Sequence, residues 1–108
     1  MILTLKKQWF DMILSGVKTE EYREIKPYWT TRFQNYFGRH IEFTSDDVVY
    51  EWSKQKKIIV FRNGYGNNVP EFSAEVTISE GYGKEEWGAD KKMKYYVLTI
   101  HRIFGVKT

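Results

Sequence analysis

Between Trp9 and Arg23 the spacing of apolar side chains changes period, and Gly16 stands at the change. Trp9, Phe10, Ile13, Leu14 and Val17 recur at the interval of one helical face. From Glu20 to Ile25 the chain reads as a strand, where successive side chains point to opposite faces. Glycine takes positive φ without steric cost, so Gly16 suits the position just past a helix C-terminus. With Ile2–Leu5 reading as a first strand, the head of the chain is β-α-β. The stretch Gly16-Val17-Lys18-Thr19-Glu20-Glu21-Tyr22-Arg23 also concentrates charge. In a strand, Glu21 and Arg23 share a face, and Lys18 sits at the turn leading into it. Two cations and one carboxylate can therefore meet at one spot. The residues alone favour a helix cap followed by a surface ion pair, worth roughly 0–1 kcal/mol.

The rest of the chain extends the pattern. Lys26-Pro27-Tyr28-Trp29 opens a second helix, since proline is tolerated at the first helical position. It runs to about Phe37, with Gly38 as its stop, and Trp29, Phe33, Tyr36 and Phe37 form a stripe expected in the core. Ile41–Thr44 is a short strand, and Ser45-Asp46-Asp47 offers turn chemistry or a cap. Val48–Ser53 fits strand and helix alike. Ile58–Phe61 is a buried strand, continuous and β-branched. Asn63–Pro70 is a loop by its Gly, Asn and Pro content. Phe72–Ser79 alternates, with Phe72, Ala74, Val76 and Ile78 inward. A second loop covers Gly81–Asp90, and Tyr95–Phe104 is the last strand. This order leads us to expect an α+β fold: a small mixed β-barrel with two or three helices, one domain over residues 1–108.

Composition narrows the function. Lys and Arg number 17 against 14 Asp and Glu, a net +3 that permits an acidic partner without requiring one. Aromatic residues are 18% of the chain, more than a core needs, so some belong on a surface or in a cleft. The absence of cysteine excludes disulfides and thiolate metal sites and fits a reducing compartment. His40 and His101 lie far apart without a carboxylate at ligand spacing, and no Ser or Cys nucleophile motif is present. Neither a metal nor another cofactor is expected. No apolar run approaches the ~20 residues of a membrane span, so a soluble, cytoplasmic monomer is expected. Lys6-Lys7 gives the first helix no capping oxygen and opposes its dipole; the two lysines face solvent or hold a phosphate.

The spacing of Gly16, Lys18, Glu21 and Arg23 resembles the signature of the ASCH domain, a family within the superfold shared by PUA and EVE domains. Leu3-Thr4-Leu5-Lys6 and Phe10–Ser15 resemble that family's first strand and helix. Phe61-Arg62-Asn63-Gly64-Tyr65 and Glu86-Trp87-Gly88-Ala89 resemble later segments of its longer members, while residues 29–50 are the least family-like. The resemblance implies a PUA-like barrel and a cleft between barrel and first helix, lined by the motif residues. The expected function is an RNA-binding or nucleotide-binding module. Phosphates would meet Lys6, Lys18, Arg23 and Arg62, bases would stack on Trp87 or Tyr65, and Glu21 would orient the cations or accept from a base edge. Trp87 fits a plug for one end of the barrel equally well. The alternative is a small hydrolase, of amidohydrolase or ribonuclease type, acting on a nucleoside derivative or RNA. Some short ASCH proteins remove an acyl group from acetylated cytidine, with a lysine at the position of Lys18 activating a threonine three residues later. Here Glu21 occupies the threonine's place, Thr19 falls on the opposite strand face, and Glu85 or Glu86 stands near the family's later glutamate. Catalysis would then use Glu21 as general base, with Lys18 or Arg23 steadying anionic charge. A third reading makes the cluster an internal ionic staple. On the ligand-binding reading, Lys18→Ala and Arg23→Ala should weaken RNA binding with little change in thermal stability.

Overall fold

Gly16 does end a helix. In a computed structural model that describes all residues Met1–Thr108, helix α1 spans Lys7–Leu14 and turns its Phe10 and Ile13 inward. Gly16 follows with φ 85°, and its N–H donates to Ile13 O at 3.0 Å. Strands β1 (Ile2–Thr4) and β2 (Glu20–Glu24) flank the helix. No side chain caps α1; Lys7 instead pairs with Asp11 one turn on, at 2.5 Å. Helix α2 covers Pro27–Phe37, with its proline in the first turn, and Gly38 follows at φ 86°.

The remaining strands are β3 (Arg39–Phe43), β4 (Val48–Trp52), β5 (Lys57–Arg62), β6 (Glu71–Tyr82) and β7 (Lys94–Lys107). Five of the seven form one mixed sheet in the order β1-β5-β6-β7-β2, with β1 parallel to β5 and every other pairing antiparallel. The long β6–β7 ladder shifts register between Glu71 and Ser73 and again between Glu75 and Val76. Such irregularities bend a strand and increase its twist. The sheet curls into a half-barrel carrying two helices, so the small mixed α+β architecture holds.

The core lies between the concave sheet and the helices. Phe72, Ala74, Val76 and Ile78 of β6 face it as their alternation predicts. Phe10 and Ile13 of α1, Phe33 and Phe37 of α2, Ile59 and Phe61 of β5, Tyr96 and Leu98 of β7, and Leu3 and Leu5 complete it. Tyr95, Tyr96, Val97 and Leu98 are all buried, so this part of β7 is covered on both faces. Residues 48–52 resolve as strand, pairing only with β3 in a separate hairpin. The hairpin is tied to the body at its base, where Trp52 Nε1 donates to Glu80 at 2.9 Å and Arg39 meets the same carboxylate at 3.2 Å. No helix is long and apolar enough to cross a membrane.

One topological detail positions everything that follows. β1 and β2 are the two ends of the sheet order, so no backbone ladder joins them. A side chain bridges the seam instead: Arg23 Nη2 on β2 donates to the Thr4 carbonyl on β1 at 3.1 Å.

Candidate functional site

The charged cluster assembles at this seam. Glu21 and Arg23 project from the same face of β2, and Arg23 Nη2 lies 2.8 Å from Glu21 Oε2. Lys18 reaches the other carboxylate oxygen, Oε1, at 3.0 Å. Its ammonium also donates to the Trp87 carbonyl at 2.5 Å and lies 4.3 Å from the centre of the Trp9 ring. Glu21 is thus clamped on both oxygens. Lys18 is only 1% exposed and Glu21 6%. Burial disfavours the charged form and pulls the Lys18 ammonium below the ordinary lysine value; Glu21 opposes that shift and Arg23 adds to it.

In front of the cluster lies a cavity of about 380 Å³. Its walls include Thr4 and Leu5, the carboxylate-bearing Glu21, and Arg23. Aromatic surface comes from Trp9 on α1, Trp29 on α2, and Tyr22 and Tyr95 on the sheet. Lys6 and Lys26 stand at the rim. Lys6 is exposed and makes no ion pair in the chain, while Lys26 has a loose, exposed partner in Glu24 at 3.7 Å. Both hydrogen bonds of Arg23 leave from Nη2, so Nη1 stays unengaged within the protein. The aromatic walls are braced. Trp29 stacks on Phe33 with centroids 5.4 Å apart and carries the Arg23 guanidinium 5.0 Å from its ring. The Tyr22 hydroxyl donates to Glu20 at 2.8 Å and accepts the Lys84 N–H at 2.9 Å. Burial pushes the Tyr22 phenol above its ordinary value, the Glu20 contacts adding to that and the Lys84 N–H opposing it.

Of the seven residues given ligand roles from sequence, Lys6, Glu21 and Arg23 line this cavity, and Tyr65 does not. Lys18 stands one layer behind, touching Glu21 and sealed from solvent beneath Trp9. Trp87 is buried to 9% exposure, with Lys84 over its ring at 4.4 Å, so it packs as a plug and offers its carbonyl to Lys18. Arg62 is elsewhere, holding the Gly66 carbonyl at 2.5 Å and facing Glu71 at 3.7 Å. Lys18 is enclosed and its partner Glu21 nearly so, and on that burial Lys18→Ala is expected to cost stability, unlike the expectation from sequence. Sequence reasoning placed Trp9 and Trp29 only on apolar helical faces; each also lines the cavity from the first turn of its helix. Their signal was position: residues in the turn just after a strand exit lie beside the strand's end. No group of three or more His, Asp or Glu side chains is placed to hold a metal ion.

Chemically, the arrangement can take a planar group between aromatic walls, an anion at Lys6, Lys26 or Arg23, and a hydrogen-bond donor at Glu21. No family model, curated protein or solved structure matches this chain.

Proposed function

We propose that this chain is an ASCH-type, PUA-like domain that binds RNA or a nucleotide-like ligand in the cavity at the open seam. The observation that carries the reading is the composition of one hollow. Two indoles and two phenols share it with three cations and two carboxylates, Glu21 fixed by its neighbours and Glu24 exposed beside Lys26. Single-stranded nucleic acid is recognised by that combination: bases stack on aromatic rings, phosphates meet Lys and Arg, and base edges meet fixed polar groups. The phosphate belongs near Lys6 and Lys26, whose exposed ammonium groups have little to hold within the protein. The base belongs between the aromatic walls, with an exocyclic amine donating to Glu21.

Titration with the common nucleoside monophosphates, the matching nucleosides and inorganic phosphate, followed by tryptophan fluorescence, tests this. Trp9 and Trp29 should report binding of a monophosphate. The Lys6→Ala/Lys26→Ala double variant should weaken binding about tenfold or more with unfolding midpoint unchanged, since both side chains are exposed. Failure of every monophosphate and of short RNA to bind, or indifference to the double variant, overturns the reading.

The hydrolase reading rests on Glu21 as general base with Arg23 beside it to steady anionic charge, both lining the cavity. Lys18, the other cation given that role, is enclosed behind Glu21. Turnover of an acylated nucleoside or of RNA, lost in a folded Glu21→Gln variant, would move the assignment to that class.

A further inference from the structure

A second hollow, of about 280 Å³, adjoins the first and shares Thr4, Arg23 and Trp29 with it. It adds Tyr28 and Arg32 of α2, Ile2 and Leu3 of β1, and Tyr65 from the loop after β5. Its character repeats that of its neighbour in aromatic rings and guanidinium groups, but no acidic residue lines it. Arg32 is exposed, lies 4.4 Å from the Tyr28 ring centre and has no carboxylate partner. We infer, on the basis of the nucleotide-binding reading above, that the ligand is a single nucleic-acid strand spanning at least two nucleotides. One nucleotide sits in each hollow, and the phosphate that links them sits at the wall the hollows share.

Tyr65 is the telling residue. It is 88% exposed, the most exposed aromatic side chain in the protein. It contributes nothing to the core, yet the loop that presents it is firmly tied. The Asn63 N–H donates to the Pro70 carbonyl at 2.9 Å, and Asn63 Nδ2 donates to the Leu5 carbonyl at 3.2 Å. Arg62 Nη2 holds the Gly66 carbonyl at 2.5 Å. Gly64 and Gly66 bracket Tyr65 at φ 106° and 113°, a backbone path that L side chains rarely follow. The loop thus holds an aromatic ring out from the surface at the mouth of the second hollow. Exposed rings held beside guanidinium groups are the stacking platforms of single-strand binders.

The shared wall carries the link. Arg23 belongs to both hollows, spends Nη2 on Glu21 and Thr4, and has Nη1 free of any protein partner. A guanidinium between two base-sized compartments, backed by a tryptophan, is where a bridging phosphodiester finds a charge-assisted donor. The first hollow lies just inside the roughly 300–1,000 Å³ typical of ligand sites and the second just below it.

Affinities of the four 5′-mononucleotides and of the four 5′-phosphorylated homodinucleotides, on wild type, Tyr65→Ala and Arg32→Ala, test this. Both variants change exposed side chains. The dinucleotide should bind roughly 5- to 150-fold more tightly than its mononucleotide, the ratio one further stacked base supplies. Tyr65→Ala should collapse that ratio while leaving mononucleotide affinity unchanged, and Arg32→Ala should reduce it. Equal affinity of dinucleotide and mononucleotide, or a ratio that survives Tyr65→Ala, overturns the two-nucleotide strand and leaves the single-nucleotide reading intact. Failure of all mononucleotides and dinucleotides to bind overturns both.

Discussion

Lys18→Met isolates the electrostatic centre of the protein from its packing. Methionine keeps an unbranched chain of similar length, so the space under Trp9 stays filled while the ammonium is lost. Three interactions disappear: the 3.0 Å contact with Glu21, the 2.5 Å bond to the Trp87 carbonyl, and the 4.3 Å approach to the Trp9 ring. Breaking a buried ion pair by removing one partner costs about 3–5 kcal/mol, mostly because the other charge is left buried. Glu21 still has Arg23 at 2.8 Å, which puts the expected loss at the lower end, about 3 kcal/mol. Against a stability of about 5–15 kcal/mol that is a large fraction. For a domain of this size it lowers Tm by roughly 12–24 °C.

The assay is denaturant unfolding of Lys18→Met beside Lys7→Met. Lys7 also pairs with a carboxylate, but its side chain is 78% exposed, and exposed helix pairs are worth only about 0.3–0.5 kcal/mol. Adding Glu21→Gln closes a double-mutant cycle in which Lys18 and Glu21 should couple by more than about 1 kcal/mol. Lys18→Met landing within about 1 kcal/mol of wild type, or adding independently to Glu21→Gln, would refute the claim that enclosure makes this pair structural.

Two further outcomes follow from the same geometry. A Cβ at Gly83 would lie 2.5 Å from the Tyr22 ring and 2.7 Å from the Ala89 side chain, so Gly83→Ala should cost about 1–3 kcal/mol. Gly81→Ala, with nothing within 4 Å, is the matched control, and equal unfolding midpoints for the two would contradict the packing. Burial raises the phenols of Tyr22 and Tyr36 above the ordinary 10.0, so above pH 10 the unfolded chain releases protons that the fold retains and stability falls as pH rises. Lys18 works in the opposite direction: its lowered value means that, approaching 10.5, the unfolded chain binds a proton the fold has already lost. Tyr22→Phe should therefore make the alkaline fall in stability shallower, and a slope identical to wild type would discount the burial of Tyr22.

The sheet was legible because its strongest elements are local patterns. Phe72, Ala74, Val76 and Ile78 alternate because one face of β6 is core, and all four are buried. Gly16 and Gly38 were legible because positive φ past a helix end is a backbone demand with few residues to meet it. Residues 48–52 were not legible, since a short apolar run fits helix and strand alike until a partner is known, and the partner is β3. The charged cluster was legible as a grouping of Glu21 and Arg23, set by strand period. Its burial was not. Whether Lys18 faces ligand or interior depends on Trp9 and on the Trp87 carbonyl, 69 residues further along the chain. Such long-range covering has no local signature, and for the same reason Trp87 gave no hint of which of its two roles it plays.

The open seam explains why so costly a cluster stands where it does. A half-barrel that ends in β1 and β2 leaves strand edges with carbonyls to satisfy. A third laddered strand there would satisfy them and also fill the hollow. Arg23 satisfies the Thr4 carbonyl with one nitrogen and leaves the gap between the edges open. The guanidinium needs a fixed counter-charge to stay in place, and Glu21 is that charge. Glu21, nearly buried, needs a second cation that does not compete for the opening, and Lys18, entering from behind under Trp9, is that cation. Each member of the cluster thus follows from the one before it. The chain of requirements begins with two sheet ends that no backbone ladder joins, which Arg23 bridges.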